Sequence, residues 1–106
     1  MRTNQSFFRV TNVARVDTRN IRISGDLILK GEFKESVSWE ISAASGDGPN
    51  NPPDRLSLLD GHFDPDKDKR IWILPQRNSE FYARVKHYAE EIGYETVEHD
   101  DTAYPR

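Results

Sequence analysis

The chain has 106 residues, no cysteine and a formal charge of −3, with 35% hydrophobic and 31% charged side chains. That length predicts a single domain, residues 1–106, with one modest core. The missing cysteine excludes disulfides, thiolate zinc sites and a thiol nucleophile. No stretch approaches the ~20 apolar residues of a membrane span, and no apolar leader follows Met1, so a cytoplasmic protein is expected.

In chain order, residues 7–43 alternate apolar and polar side chains with a period of two, the signature of half-buried strands. Phe8, Val10, Ala14 and Val16 read as one face of a first strand. Val13 falls out of step, which predicts a bulge near Asn12 and Val13. Asp17 to Asn20 is a turn. Ile21, Ile23, Leu27 and Leu29 then point one way, with Arg22, Ser24, Asp26 and Lys30 on the other side. Gly25 inside that run predicts a kink or a close backbone approach, as at a barrel corner. After a turn at Lys30, Gly31 and Glu32, the residues Val37, Trp39, Ile41 and Ala43 alternate cleanly with Ser36, Ser38, Glu40 and Ser42.

Residues 44–69 form a loop-rich connection. Pro49, Pro52 and Pro53 remove backbone donors and the glycines loosen the chain, so residues 46–54 are expected to be the most mobile internal segment. Leu56, Leu58 and Leu59 anchor its far end as a short strand. Residues 70–98 read as strand, helix and strand. Ile71 to Leu74 is a short buried strand stopped by Pro75. Asn78 or Ser79 is placed to cap a helix, with Glu80 in its first turn. Phe81, Val85, Tyr88 and Ile92 form one apolar stripe, and Arg84, Lys86, Glu90 and Glu91 its polar side. Gly93 suits the left-handed residue after the helix. A last strand over 94–98 completes a crossover with parallel strands, and residues 99–106 are a polar tail. The expected class is α+β: a small curled antiparallel sheet or barrel-like N-terminal part, followed by a strand–helix–strand unit with one main helix.

From Phe8 to Ile41 the pattern resembles domain II of the translation GTPases, a small β-barrel. The matching letters are Phe8-Arg9-Val10, Val13-Ala14-Arg15-Val16, Ile21-Arg22-Ile23-Ser24-Gly25, Gly31-Glu32-Phe33-Lys34 and Trp39-Glu40-Ile41, with one inserted residue near Leu27 to Leu29. Thr18-Arg19-Asn20 stands where the family has a Gly-rich turn, and Ser36-Val37 where it has Gly-Asp. The resemblance implies a barrel and carries over no functional residue, and the chain has no Walker-type phosphate loop.

Few groups are arranged for chemistry. Asp64, Asp66 and Asp68 occupy the first acidic positions of a calcium loop, but Lys69 and Pro75 stand where such a loop needs glycine and a bidentate Glu, which favours a solvated acidic turn. Asp60-Gly61-His62 could pair an acid with a base, yet two residues in a loop carry no geometry. His87 flanks the apolar stripe of the helix, where a surface role or a hydrogen bond is the default, and His99, beside Asp100 and Asp101, could join a metal cluster or act as a base but stands in a polar tail with no nucleophile or orienting partner nearby. No catalytic set, metal site or cofactor site emerges, and the chain reads as a non-enzyme without a cofactor.

Charge is unevenly distributed. Residues 1–30 carry six basic and two acidic side chains, whereas residues 31–106 carry nine basic and sixteen acidic ones. The expected function is therefore a small protein-interaction module of the accessory, inhibitor or immunity kind. It would bind a protein partner through an acidic surface that includes Asp60, Asp64, Asp66 and Asp68. The alternative is a nucleic-acid-binding barrel using Phe7, Arg9, Arg15 and Arg22, since exposed aromatics among arginines suit single strands.

Overall fold

The computed structural model describes residues 5–44, 51–64, 70–76 and 79–98. Five strands, β1 (Phe7–Arg15), β2 (Asn20–Leu29), β3 (Glu32–Ser42), β4 (Ile71–Ile73) and β5 (Glu95–Val97), form one open sheet in the order β3-β2-β1-β4-β5. The first three pair antiparallel, while β4 runs parallel to both β1 and β5. Two short helices, α1 (Leu56–Asp60) and α2 (Tyr82–Glu91), supply the second layer. The class is α+β. The expected curling or closure of the N-terminal strands into a barrel does not occur, because β1 gives its second edge to β4 instead of closing on β3.

Local chemistry explains the hairpins. Between β1 and β2, the carboxylate of Asp17 accepts hydrogen bonds from the backbone N–H groups of Arg19 and Asn20 at 2.8 and 2.9 Å. Those bonds hold its pKa below the ordinary value, with the Arg19 contact the main cause. Between β2 and β3, Lys30 and Gly31 both adopt positive φ, 53° and 85°, the geometry that a two-residue hairpin turn requires for strands of right-handed twist. Gly25 needs its missing side chain for another reason. A Cβ there would meet the ring of Phe8 and lie 2.5 Å from the Arg9 carbonyl. The close approach expected from the sequence is real, but it occurs beside the Val10–Asn12 bulge of an open sheet and not at a barrel corner.

Both helices lie on one face of the sheet. Phe8, Val10, Ile21, Ile23, Leu27, Val37, Ile41, Trp72 and Leu74 from the strands meet Leu56 and Leu59 of α1 and Val85, Tyr88 and Ala89 of α2. At its centre Trp72 contacts Phe8, Trp39, Tyr88 and Tyr94, with ring centroids 4.8–5.9 Å apart, close enough for edge and tilted contacts to add to area burial. Trp39 is only partly buried, and its indole N–H donates to the Tyr88 hydroxyl at 3.1 Å. On the other face, Phe7, Ile28 and Ile73 form a small second cluster with Ile71 against it. The α2 stripe thus packs over Trp72 and Leu74, not over Ile71 and Ile73.

Several expectations are corrected. Leu56, Leu58 and Leu59 lie in or at a short helix rather than a strand. The register shifts between Val10 and Asn12 as foreseen, but the bulge returns Val13 to the core side and leaves Ala14 and Val16 exposed. The N-cap of α2 is Phe81, in left-handed conformation with φ 66° and without a side-chain cap, so Ser79 and Glu80 belong to the preceding turn; Asn78 lies outside the described residues. Gly93, at φ 96°, is the left-handed residue expected after the helix. The centre of the proline-rich connection, 45–50, lies outside the described residues, as does the 99–106 tail.

Candidate interaction surfaces

The two bulges decide which side chains reach solvent. In β3 the register with β2 skips from Leu27↔Glu35 to Ile28↔Phe33, leaving Lys34 as the extra residue. The skip turns Phe33 onto the helix-free face, opposite Ile28, and its residue exposure is 61%. Cross-strand register then sets Phe33, Ile28 and Phe7 in one row, continued by Ile71, the position before the Phe8↔Trp72 pair. Above this apolar row the same face becomes polar. Arg9 faces Asp26 at 3.4 Å, Ser36 donates to Asp26 at 3.1 Å, the hydroxyls of Ser24 and Ser38 lie 3.3 Å apart, and Arg22 meets Glu40 at 3.1 Å.

This arrangement bears directly on the basic residues singled out from the sequence. Phe7 is 5% exposed and is part of the second cluster, so it is not an open stacking platform. Arg9 and Arg22 lie on the helix-free face and each carries an acidic neighbour. Arg15 lies on the opposite face, its guanidinium 5.0 Å from the centroid of the Phe81 ring and donating to the carbonyls of Asp17 and Thr18. The three arginines do not share one face.

The acidic residues divide similarly. Asp60 is tied into the structure: its carboxylate accepts from Arg70 at 2.8 Å and from the Tyr94 hydroxyl at 2.9 Å. Burial, and then the bond to Asp60, push the Tyr94 phenol well above its ordinary pKa. The pair locks α1 to the start of β5, and Asp60 is therefore not available as an acid–base partner for His62. Asp64 is exposed, while Asp66 and Asp68 lie outside the described residues. Among the described residues no group of three or more His, Asp or Glu is placed to hold a metal ion.

A shallow cleft opens where β4 stops at Pro75 but β1 runs on. It is lined by Arg9, Val10, Thr11, Pro75, Gln76 and Ser79 and holds about 410 Å³. Its polar groups do not converge on a point. Thr11 donates to the Ser24 carbonyl at 3.2 Å and Arg9 faces Asp26, so the cleft offers loosely placed groups rather than a reaction centre.

Phe33 is the site residue that the sequence hides. By simple alternation it is in phase with Val37, Trp39 and Ile41 and reads as core. The one signal is its setting among Glu32, Lys34 and Glu35, a poor environment for a core strand. Arg84 is the converse case. Although on the expected polar side of α2, it is 7% exposed, donates to the Ser42 carbonyl at 2.9 Å and lies 3.6 Å from Glu91.

Comparison with protein-family models, curated proteins and solved structures returns no match. No helix among the described residues is long and apolar enough to cross a membrane.

Proposed function

We propose that this chain is a non-enzymatic protein-interaction module, of the accessory, inhibitor or immunity kind, that binds a protein partner through an acidic surface. The observation that carries this reading is Phe33. A large aromatic ring, 61% exposed, sits at the rim of the helix-free face beside Ile28, while Glu32 and Glu35 stand on the opposite face and Glu35 pairs with Arg55 at 2.7 Å. Aromatic anchors add strongly to protein interfaces once desolvated, and the acidic excess after residue 30 would speed encounter with a basic partner. Asp64, exposed and next to Asp66 and Asp68 in sequence, is the other acidic candidate.

Capture with the full chain as bait tests the reading. A specific protein should be retained, its retention should weaken as salt rises, and Phe33→Glu should abolish it while Leu58→Glu, at another exposed apolar residue, should not. Reversing charge together at Asp64, Asp66 and Asp68 should slow association. Tight, salt-sensitive oligonucleotide binding lost on Arg15→Glu and Arg22→Glu would replace this reading with the nucleic-acid alternative. The placement of those arginines on opposite faces, one of them paired, argues against it.

A further inference from the structure

The start of α2 is strained where the sequence offers an unstrained alternative. Phe81, the residue before the helix, has φ 66° and ψ 12°, a left-handed conformation that is an outlier for a bulky side chain and stores strain. No side chain caps the helix, and no acidic residue stands in its first turn. The Tyr82 N–H donates to the Ser79 carbonyl at 3.1 Å and the Val85 N–H to the Phe81 carbonyl at 3.0 Å, while the N–H groups of Ala83 and Arg84 find no carbonyl among the described residues.

Two residues earlier the chain carries the signals that α2 lacks. Ser79 is a favoured N-cap residue, and Glu80 suits the positive end of the helix dipole. Both side chains stand idle: among the described residues neither the Ser79 hydroxyl nor the Glu80 carboxylate has a hydrogen-bond or ion-pair partner. Were Phe81 to take right-handed helical values, the helix would begin at Glu80 with Ser79 as its cap. The Ser79 hydroxyl would then accept from the N–H of Phe81 or Tyr82, and the carbonyls of Ser79 and Glu80 would receive the N–H groups of Ala83 and Arg84. What opposes this local preference comes from β1. The Arg15 guanidinium lies 5.0 Å from the centroid of the Phe81 ring, within cation–π range, and is itself fixed by bonds to the carbonyls of Asp17 and Thr18. The ring also packs against the main core cluster.

We propose that Phe81 is a conformational switch between two starting points of α2: a strained short form held by Arg15, and a capped long form beginning at Glu80. The switch has a place to act. Ser79 and Glu80 form one wall of the narrower part of the cleft, about 280 Å³, against Thr11, Asn12 and Val13. Drawing both residues into the helix redirects their side chains and reshapes that wall. A molecule that fits the cleft in one form only shifts the switch towards that form. The proposal depends neither on Phe33 nor on a protein partner.

The test reads the Phe81 backbone by residue-resolved NMR, and amide exchange at Ala83 and Arg84, in the full chain. Arg15→Ala removes the holding cation from an exposed position. In that variant Phe81 should become helical, and exchange at Ala83 and Arg84 should slow about fivefold, the factor that one side-chain cap contributes. Adding Ser79→Ala removes the cap and should reverse the slowing. Phe81→Gly, which adopts positive φ without strain, should hold the short form with or without Arg15. A Phe81 that stays left-handed in Arg15→Ala, a first turn that frays there, or slowed exchange that ignores Ser79→Ala would overturn the proposal. So would a helical Phe81 in the unaltered chain. Thr11 and Asn12 resonances should move with the switch, and unmoved ones would overturn its link to the cleft.

Discussion

The two faces of the sheet are one residue apart in sequence and differ in almost every physical respect. On the helix-covered face Phe8, Trp72, Tyr88 and their neighbours are sealed by α1 and α2; the Trp39 indole finds the Tyr88 hydroxyl, while the buried indole N–H of Trp72 has no hydrogen-bond partner among the described residues. On the other face a short apolar row meets a patch of facing charges, and an aromatic ring stands in solvent at its rim. The larger core lies on the first face, and the second carries the wider variety of exposed groups. Substitutions that pair the two faces test this division.

The largest effect is expected at Val85, which α2 presses into the core. Val85→Asp buries an unpaired charge and should unfold the domain, read as loss of the cooperative transition in circular dichroism. A folded Val85→Asp protein would show that α2 is not essential to the core.

Next come the neighbours Trp72 and Ile73, which point to opposite faces. Trp72→Ala removes the hub of the aromatic cluster and should cost about 3–5 kcal/mol. Ile73→Ala empties a site in the smaller cluster and should fall near the lower end of the range for such truncations, about 2 kcal/mol. Denaturant melts read the difference, and equal losses would mean that the helix-free face contributes a core of comparable weight.

Arg84→Ala should cost about 1.5–3 kcal/mol, the usual worth of a hydrogen bond from a charged donor, because it removes the bond to the Ser42 carbonyl and the charge facing Glu91. Lys86→Ala, two positions on and paired only across the exposed helix surface with Glu90, should stay within about 0.5 kcal/mol.

The sealed face also predicts a pH dependence. The Tyr94 phenol, buried and bonded to Asp60, has its folded pKa raised above the ordinary value of 10.0. Its stabilisation is therefore complete below about pH 10 and is lost as pH rises above it, because the unfolded chain ionises there first. Burial raises Tyr88 in the same direction. Melting midpoints should fall above pH 10, and Tyr94→Phe, destabilised at pH 7 by the lost bond to Asp60, should show a shallower alkaline decline. An unchanged decline would place the titration elsewhere.

The smallest effect on folding is expected at Phe33. Phe33→Ser should alter stability by no more than about 0.5 kcal/mol while weakening partner capture. A large loss of stability would show that the ring seals Ile28 and Phe7 and would make it a core residue.

Much of this architecture was legible in one dimension. The alternation of Ile21, Ile23 and Leu27 against Arg22, Ser24 and Asp26, the short Ile71–Ile73 strand, the Val85 and Tyr88 stripe and the left-handed Gly93 follow from periodicity and backbone stereochemistry, which are local and additive along the chain. The candidate surface was less legible, because exposure is a property of neighbours. Arg84 lies on the polar side of its helix by spacing, but the end of β3 arrives there and covers it. Phe7 reads as surplus to Phe8 and is buried by Ile28 and Ile73, which belong to other strands.

The sequence by itself determined the α+β class, the strand and helix count in the C-terminal unit, and the need for glycine at positions 25 and 93. Only the tertiary structure decided that the sheet stays open, because whether the free edge of β1 closes on β3 or receives β4 is a competition between distant segments that alternation cannot rank. It also decided which face each strand end presents. One extra residue at Thr11 and another at Lys34 invert the inside–outside pattern beyond them, exposing Ala14 and Val16 and turning Phe33 outward.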